Sequence, residues 1–486
     1  MDYIKGADRY QTTLFPESMD DYISDNNPVR IIDFYVENLD IKELGFTKAE
    51  ISKIGRPPYN PKDLLKLYLY GYLNRIRSSR RLEHEAARNI EVIWLLKNLK
   101  PDFKTIADFR KDNKKALRNV FRDFTKLCDA WNLFGKELVA IDGSKFRASN
   151  SKKNNFNAKK LERHLKYLNE KIDKYLQELD EGDSAEACDQ KPDVQRMQEL
   201  IEELQKRKQK YEDMKKSLEE SGQNEISTTD PDARLMTNNS NGVEASYNIQ
   251  TAVDSKHKLI VDFETCQNPN DLGELSGMSL KAKEVLGVEN LEVLADKGYY
   301  KPEDLKKCVE NGITPYVSKQ THSNGTGDKD FYGDKFTYDK AKNVYICPAG
   351  KELHYYRIRK EKGKIVGYEY KDHSACKTCE FKERCTKSQK GRSIFRHVDQ
   401  DFLDTIDVQT ELNKKKYLMR QMIVEHPFGT VKRGLDSYYF LTRGKSSVTA
   451  EISLSFLAYN LKRVINMLGV EEILKRLTRM SKLVPA

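Results

Sequence analysis

No run of about 18 or more apolar residues occurs in the chain, so a membrane-spanning helix is not expected. The opening MDYIKGADRYQTTLFPES lacks the basic-then-apolar layout of a secretory leader, and the expected compartment is the cytoplasm. Eight cysteines in a reducing compartment do not make a disulfide framework, which leaves metal binding, catalysis or burial to explain them. Charge of one sign is not in large excess, since 85 Lys and Arg against 75 Asp and Glu leave +10. That basic balance either favours polyanionic partners or only keeps a lysine-rich surface soluble. The chain has 38% hydrophobic and 33% charged residues with mean hydropathy −0.75, which fits a soluble protein with long exposed helices. Its 486 residues exceed what one core usually serves, so two to four units are expected.

Residues 1–58 are mixed and close on Gly55-Arg56-Pro57-Pro58, a natural break. Asn60 and Pro61 predict an N-cap and first helical residue, and Leu64, Leu65, Tyr68, Leu69, Tyr72 and Ile76 recur at helical spacing. Thr105 with Asp108 predicts a second capped helix, carried by Ile106, Phe109, Leu117, Val120, Phe121, Phe124 and Leu127 to residue 130. Between them Arg75, Arg77, Arg80, Arg81 and Arg88 form either a phosphate-contacting surface or a solvated helix face. Alternation in ELVAIDGSKFRAS predicts a strand ending in a polar turn. Leu161, Leu165, Leu168, Ile172, Tyr175 and Leu179 then take up helical stepping. Met197, Ile201, Leu204, Tyr211, Met214 and Leu218 repeat it after DEGDSAEACDQKP. The pair reads most simply as an antiparallel coiled-coil hairpin, the other reading being a coiled coil that dimerises. Two adjacent strands, SYNIQTAVD and HKLIVDFETC, precede a helix from Asp271 to Val285. A strand ending at Asp296, a helix closed by Gly312 and the strand ITPYVSK complete a mixed α/β order. Residues 320–398 are short strands and turns, and helices over 410–434 and 449–469 end the pattern, the last with Leu454, Leu457, Leu461, Val464 and Leu468 on one face.

A carboxylate at a strand end is exposed yet rigidly held, which suits a metal ligand. Asp142 and Asp296 both read this way, and on neighbouring strands they would share Mg²⁺ ions about 4 Å apart. Glu425 stands just before Pro427, a residue suited to the first turn of a helix. Lys432 follows Glu425 by two turns on the same face. Residue type alone equally fits solvated surface carboxylates. Asp230 and Asp232 read as turn residues or as neighbours of the site, Asn270 and Asp271 as a helix N-cap in preference to a ligand, and His426 as a partner of Glu425 or a cap. Cys376 and Cys379 form CxxC, with Cys385 close behind and Cys347 at the head of the same region. This spacing matches a tetrahedral structural zinc site, in which His354 or His373 would be substitute ligands; buried thiols or a redox pair are the alternatives. Cys128, Cys188, Cys266 and Cys308 are scattered and read as ordinary thiols.

VAIDGSKFRASNS, TTDPDARLM with SYNIQTAVD, LADKGYY, and Tyr417, Arg420, Glu425-His-Pro-Phe-Gly and Lys432 resemble, in order, the signature motifs of DDE-type transposases of bacterial insertion sequences. The similarity runs over essentially the whole chain. It implies a ribonuclease H-like core carrying Asp142 on its first strand, Asp296 on its fourth and Glu425 on a later helix. The implied organisation is a helical DNA-binding domain over 1–132, core segments over 133–155 and 223–320, and completing helices over 399–486. A helical hairpin over 156–222 and a β-rich Cys₄ zinc insertion over 321–398 interrupt that core. The implied activity is binding of terminal inverted repeats with cleavage and strand transfer by Asp142, Asp296 and Glu425, using two Mg²⁺ or Mn²⁺ ions. Arg420, Lys432, Tyr417 and Arg433 are expected at DNA with Arg77, Arg80 and Arg81, although Arg420 to Glu425 is one residue longer than in relatives. Double-stranded DNA, a homodimer in the DNA complex, and a bacterial, nucleoid-associated location complete the expectation. The alternatives are a nuclease of the same fold and a non-catalytic DNA-binding regulator derived from a transposase.

Overall fold

The structure is a computed structural model describing residues 18–50, 57–184, 194–222, 225–238, 242–320 and 323–481. Gly55, Arg56, Cys188 and most of the predicted hairpin turn lie outside the described residues. Six helices come first: α1 (Val29–Glu37), α2 (Pro61–Leu73), α3 (Ser79–Arg88), α4 (Ile90–Leu95), α5 (Phe103–Asp112) and α6 (Lys114–Ala130). Asn60 caps α2 as its sequence predicts, accepting from the Lys62 amide at 2.9 Å. The second predicted helix is divided at Asn113, and its cap is Asp102, not Thr105: the Asp102 carboxylate accepts from the Thr105 amide at 2.8 Å.

The main sheet is built from β1 (Leu138–Arg147), β4 (Arg234–Asn238), β5 (Gly242–Asp254), β6 (Ile260–Cys266), β7 (Leu291–Ala295) and β8 (Ile313–Val317). Between β1 and β4 come the short strands β2 (Asn155–Phe156) and β3 (Ile226–Ser227), flanking α7 (Ala158–Ser184) and α8 (Val194–Ser221). Helices α9 (Leu275–Leu286) and α10 (Pro302–Glu310) separate the last three strands. The sheet order is β4-β5-β1-β7-β8, with β6 sharing the outer edge of β5. β1–β5 and β5–β6 are antiparallel, whereas β1–β7 and β7–β8 are parallel. The long β5 is buried from Ala245 to Asp254 because neighbours cover both its edges.

A second antiparallel sheet follows: β9 (Thr337–Asp339), β10 (Val344–Ile346), β11 (Glu352–Glu361), β12 (Lys364–Lys371) and β13 (Ser393–His397), with short helices α11 (His373–Lys377) and α12 (Lys382–Cys385). The chain ends in α13 (Gln400–Leu412), α14 (Lys414–Gly429) and α15 (Lys445–Ser481). Helix α15 breaks at Gly469, whose φ of 74° is a conformation that favours glycine.

One continuous core runs from Ile23 to Leu477, joining the first helices, the main sheet and the last helix. The expected separate domain over 1–132 therefore packs directly on the rest. Residues 451–461 of α15 are buried on every side, and Asn460 pairs with both backbone groups of Ile260 at 2.9 Å, closing a stretch of β6. The two long helices pack antiparallel: Glu162 meets Lys215 and His164 meets Tyr211 around a core of Phe156, Leu161, Leu168, Tyr211, Met214 and Leu218. The second sheet has a small core of its own, Phe336, Tyr345, Leu353, Tyr370 and Ile394. No helix among the described residues is long and apolar enough to cross a membrane.

Candidate active site

Asp142 is not at the tip of its strand; it lies in the middle of β1. It is half-buried, and its access to the space beyond the sheet arises differently. The β1–β7 ladder ends at Ala140 opposite Leu294, so β1 continues past the end of its parallel neighbour. Asp142 and Asp296 each stand two residues beyond that last pair, level with one another across the gap. The Asp296 carboxylate caps the turn Lys297–Tyr299, accepting from the Gly298 amide at 2.6 Å, which fixes its direction.

A third carboxylate shares the place. Asp271 was expected to cap α9, but α9 begins at Leu275, and the amides of Leu275 and Ser276 donate to Asp304 instead. Asp271 Oδ1 accepts from Asn248 Nδ2 at 2.8 Å and Gln250 Nε2 at 2.6 Å, both side chains of β5. The buried Tyr299 hydroxyl donates to Gln250 Oε1. A Cβ on Gly143 would meet the Asp271 carboxylate and the Gln250 amide, so any larger residue there would displace them. Burial, with the charges of Asp296 and Asp271, pushes Asp142 up to about 7, against the pull of the Gly143 amide and Arg420. Burial and the same three carboxylates hold the Tyr299 phenol well above its ordinary value.

The basic side is supplied by α14 and the turn after it. Pro427 lies inside α14, not in the first turn of a helix, and the chain widens directly afterwards into a π turn over Thr430–Gly434. Proline cannot donate to the carbonyl four residues back, which disturbs the regular ladder there. Glu425 and Lys432 differ in exposure, the first open to solvent on α14 and the second half-buried in the π turn. Lys432 turns inward, donating to Ser144 Oγ at 2.6 Å and the Lys145 carbonyl at 2.8 Å, with its ammonium over the Phe146 ring. Burial lowers Lys432 to about 8 although Asp142 opposes this. Glu425 is exposed on α14 and has no hydrogen-bond or ion-pair partner among the described residues. Arg420 lies over Tyr417, and Arg433 is exposed. His426 neither orients Glu425 nor caps the helix: it bonds Tyr459 at 2.9 Å, whose hydroxyl donates to the Lys258 carbonyl.

Other expected site residues are distributed differently. Arg77 is buried, donates to the Tyr439 carbonyl at 2.7 Å, pairs with Glu451 and stacks on Tyr439, so its guanidinium is not free to meet phosphate. Arg80 and Arg81 are exposed on α3. Asp230 accepts from the Asp232 amide at 3.3 Å within its own turn, and both carboxylates also accept from the Gly444 and Lys445 amides at the start of α15. Cys347, Cys376, Cys379 and Cys385 line one cavity of about 30 Å³, which His354 and His373 do not. Burial and the neighbouring thiols push Cys385 up to about 11, with Arg392 opposing. Among the described residues no three His, Cys, Asp or Glu side chains stand close enough together to hold a metal ion as placed.

These features define a mixed α/β protein with converging carboxylates at the middle of its sheet and basic groups beside them. Two stretches match known families: residues 17–112 match Transposase domain (DUF772), and residues 346–465 match Transposase DDE domain. The chain thus resembles DDE-type insertion-sequence transposases, a family that generally uses divalent metal ions. Asp142, Asp271 and Asp296 lie between the two matched stretches, whereas Glu425, Lys432 and the four cysteines lie within the second. No curated protein matches the chain. Among solved structures it is similar to the cryo-EM structure of a piggyBac transposase synaptic complex with hairpin DNA, at 9% identity and TM-score 0.29, over 94% of this chain and 79% of that one.

Proposed function

We propose that the chain is a DDE transposase that binds the terminal inverted repeats of an insertion sequence, cleaves them and transfers the freed strands. The observation that carries this reading is the register placing Asp142 and Asp296 side by side beyond the β1–β7 ladder. The strand order β6-β5-β1-β7-β8, two antiparallel joints followed by two parallel ones, supports a ribonuclease H-like core. Asp142 and Asp296, with Glu425 from α14, would hold two Mg²⁺ or Mn²⁺ ions, an assignment that suits all-oxygen donors. Bound ions of this kind stabilise the attacking and leaving oxygens of in-line phosphoryl displacement. Arg420 beside Asp142, Arg433 after α14, and Arg80 and Arg81 on α3 would position DNA together with the Tyr417 phenol, and Lys432 would do so on exchanging its Ser144 and Lys145 partners for a phosphate oxygen. Two chains would hold the two ends in a homodimeric complex, in the bacterial cytoplasm at the nucleoid. The second sheet would carry structural Zn²⁺ on Cys347, Cys376, Cys379 and Cys385, a reading supported by their single shared cavity.

The test is cleavage and joining of duplexes taken from the flanks of the element, with the purified chain and Mg²⁺. Asp142→Asn, Asp296→Asn and Glu425→Gln should each lower cleavage by more than about 100-fold while end binding persists. Near-normal cutting by one variant removes that residue from the site. Cutting without strand transfer in the wild type would instead identify a nuclease, and binding without cutting a regulator.

A further inference from the structure

We propose that Asp271 is an additional carboxylate ligand to the divalent cation held by Asp142 and Asp296. The proposal rests on the metal-dependent reading above and adds to it a residue from the loop between β6 and α9. The ordinary duty of an aspartate ahead of a helix is already taken, since Asp304 accepts the first free amides of α9. Asp271 is held from elsewhere. Two amides two residues apart on β5, those of Asn248 and Gln250, converge on the same oxygen, Oδ1. Gln250 is itself fixed by Tyr299. This aligns the carboxylate and leaves Oδ2 without a donor among the described residues. Oδ2 lies on the side of Gly298 and Asp296: a Cβ built on Gly298 would stand 3.9 Å from it and 2.8 Å from Asp296 Oδ1.

A separate observation points to a ligand in the same place. Asn248 is 1% exposed, and its Oδ1 is buried without a hydrogen-bond donor. That oxygen lies 2.9 Å from where a Gly143 Cβ would stand, so it is directed into the gap between the Asp142–Gly143 backbone and Asp271. A buried acceptor left unpaired costs about 1–3 kcal/mol. A hydrated hard cation supplies what it lacks, through its water or by direct contact. Three carboxylates and an amide oxygen, with no sulfur or imidazole, are donor types that suit Mg²⁺ or Mn²⁺ and not a softer ion, and a cation would have to draw the three carboxylates closer than they stand here.

Asp271→Asn separates a ligand from a structural role. The substituted side chain keeps an oxygen for the Asn248 and Gln250 amides and changes only the second atom. Mn²⁺ titration of the full chain, followed by calorimetry beside thermal melting, should show D271N binding about 10- to 100-fold more weakly with nearly unchanged melting. D271E, which restores the charge, should recover most of the loss. Wild-type Mn²⁺ affinity in D271N, with D142N and D296N defective, overturns the proposal and leaves the metal-dependent reading standing. A D271E that binds no better than D271N also overturns it. Failure of the wild-type chain to bind Mn²⁺ would remove both.

Discussion

Asp142 is where burial and function oppose each other most directly. The native carboxyl is raised from an ordinary 3.8 to about 7 by burial and by Asp296 and Asp271. Between those limits the metal-free native state binds more protons than the unfolded chain, so this group's contribution to stability falls as pH rises through the window. A cation requires the ionised form and competes with the proton. Mn²⁺ affinity should therefore weaken by about fivefold for one displaced proton between pH 7 and pH 6 and level off above pH 8. Calorimetric titration across that range checks this, and equal affinity at pH 6 and pH 8 would show that metal binding displaces no proton from a carboxyl raised to this range. The residue scale is also where sequence reading fell short. Asp142 and Asp296 were legible because they end apolar runs, whereas Asp271 looked like a helix cap. Only the cross-strand amides of Asn248 and Gln250, separated from it by about 20 residues, reveal otherwise.

Among the elements, the second sheet is the one whose stability is most exposed. Its core has five buried residues, and the four cysteines sit beside it around one cavity. If zinc occupies that cavity, ligation contributes directly to folding of the segment. Chelation or Cys379→Ser should then raise amide exchange across Thr337–His397 and leave the main sheet protected. Gently purified protein should carry about one zinc per chain. Less than half a zinc per chain, or unchanged exchange after chelation, would return the cysteines to packing. CxxC spacing was visible in the sequence. The π turn after Pro427 was not, because a proline inside a helix is tolerated only where tertiary contacts hold the distorted turn, here Lys432 on Ser144 and Phe146.

At the scale of the whole molecule, the question is which of its 85 basic residues face a polyanion. Each phosphate contact contributes about 0.9 to the slope of log affinity against log salt. Arg80→Gln with Arg81→Gln should flatten that slope by up to about two units if both meet phosphate. Arg77→Gln should leave it unchanged and instead destabilise the protein by about 3 kcal/mol, since Glu451 loses a buried partner. Fluorescence anisotropy with duplex DNA over a salt series, and urea unfolding, read the two effects apart. A slope unmoved by the double substitution would make α3 a solvated face.

By itself the sequence determined the helical opening after Asn60, the amphipathic hairpin, the apolar strands leading to Asp142 and Asp296, and the clustered cysteines, while one helix expected over 410–434 is two helices and a π turn. These follow from periodicity and local chemistry, which act over a few residues. Tertiary structure alone decided that Arg77 is buried, that the first helices share a core with α15, that Lys432 turns inward and that Asp271 stands beside Asp142. Each of these depends on pairing across long stretches of chain, as in Arg77 with Glu451, and burial assigned by a distant partner leaves no mark in the local pattern.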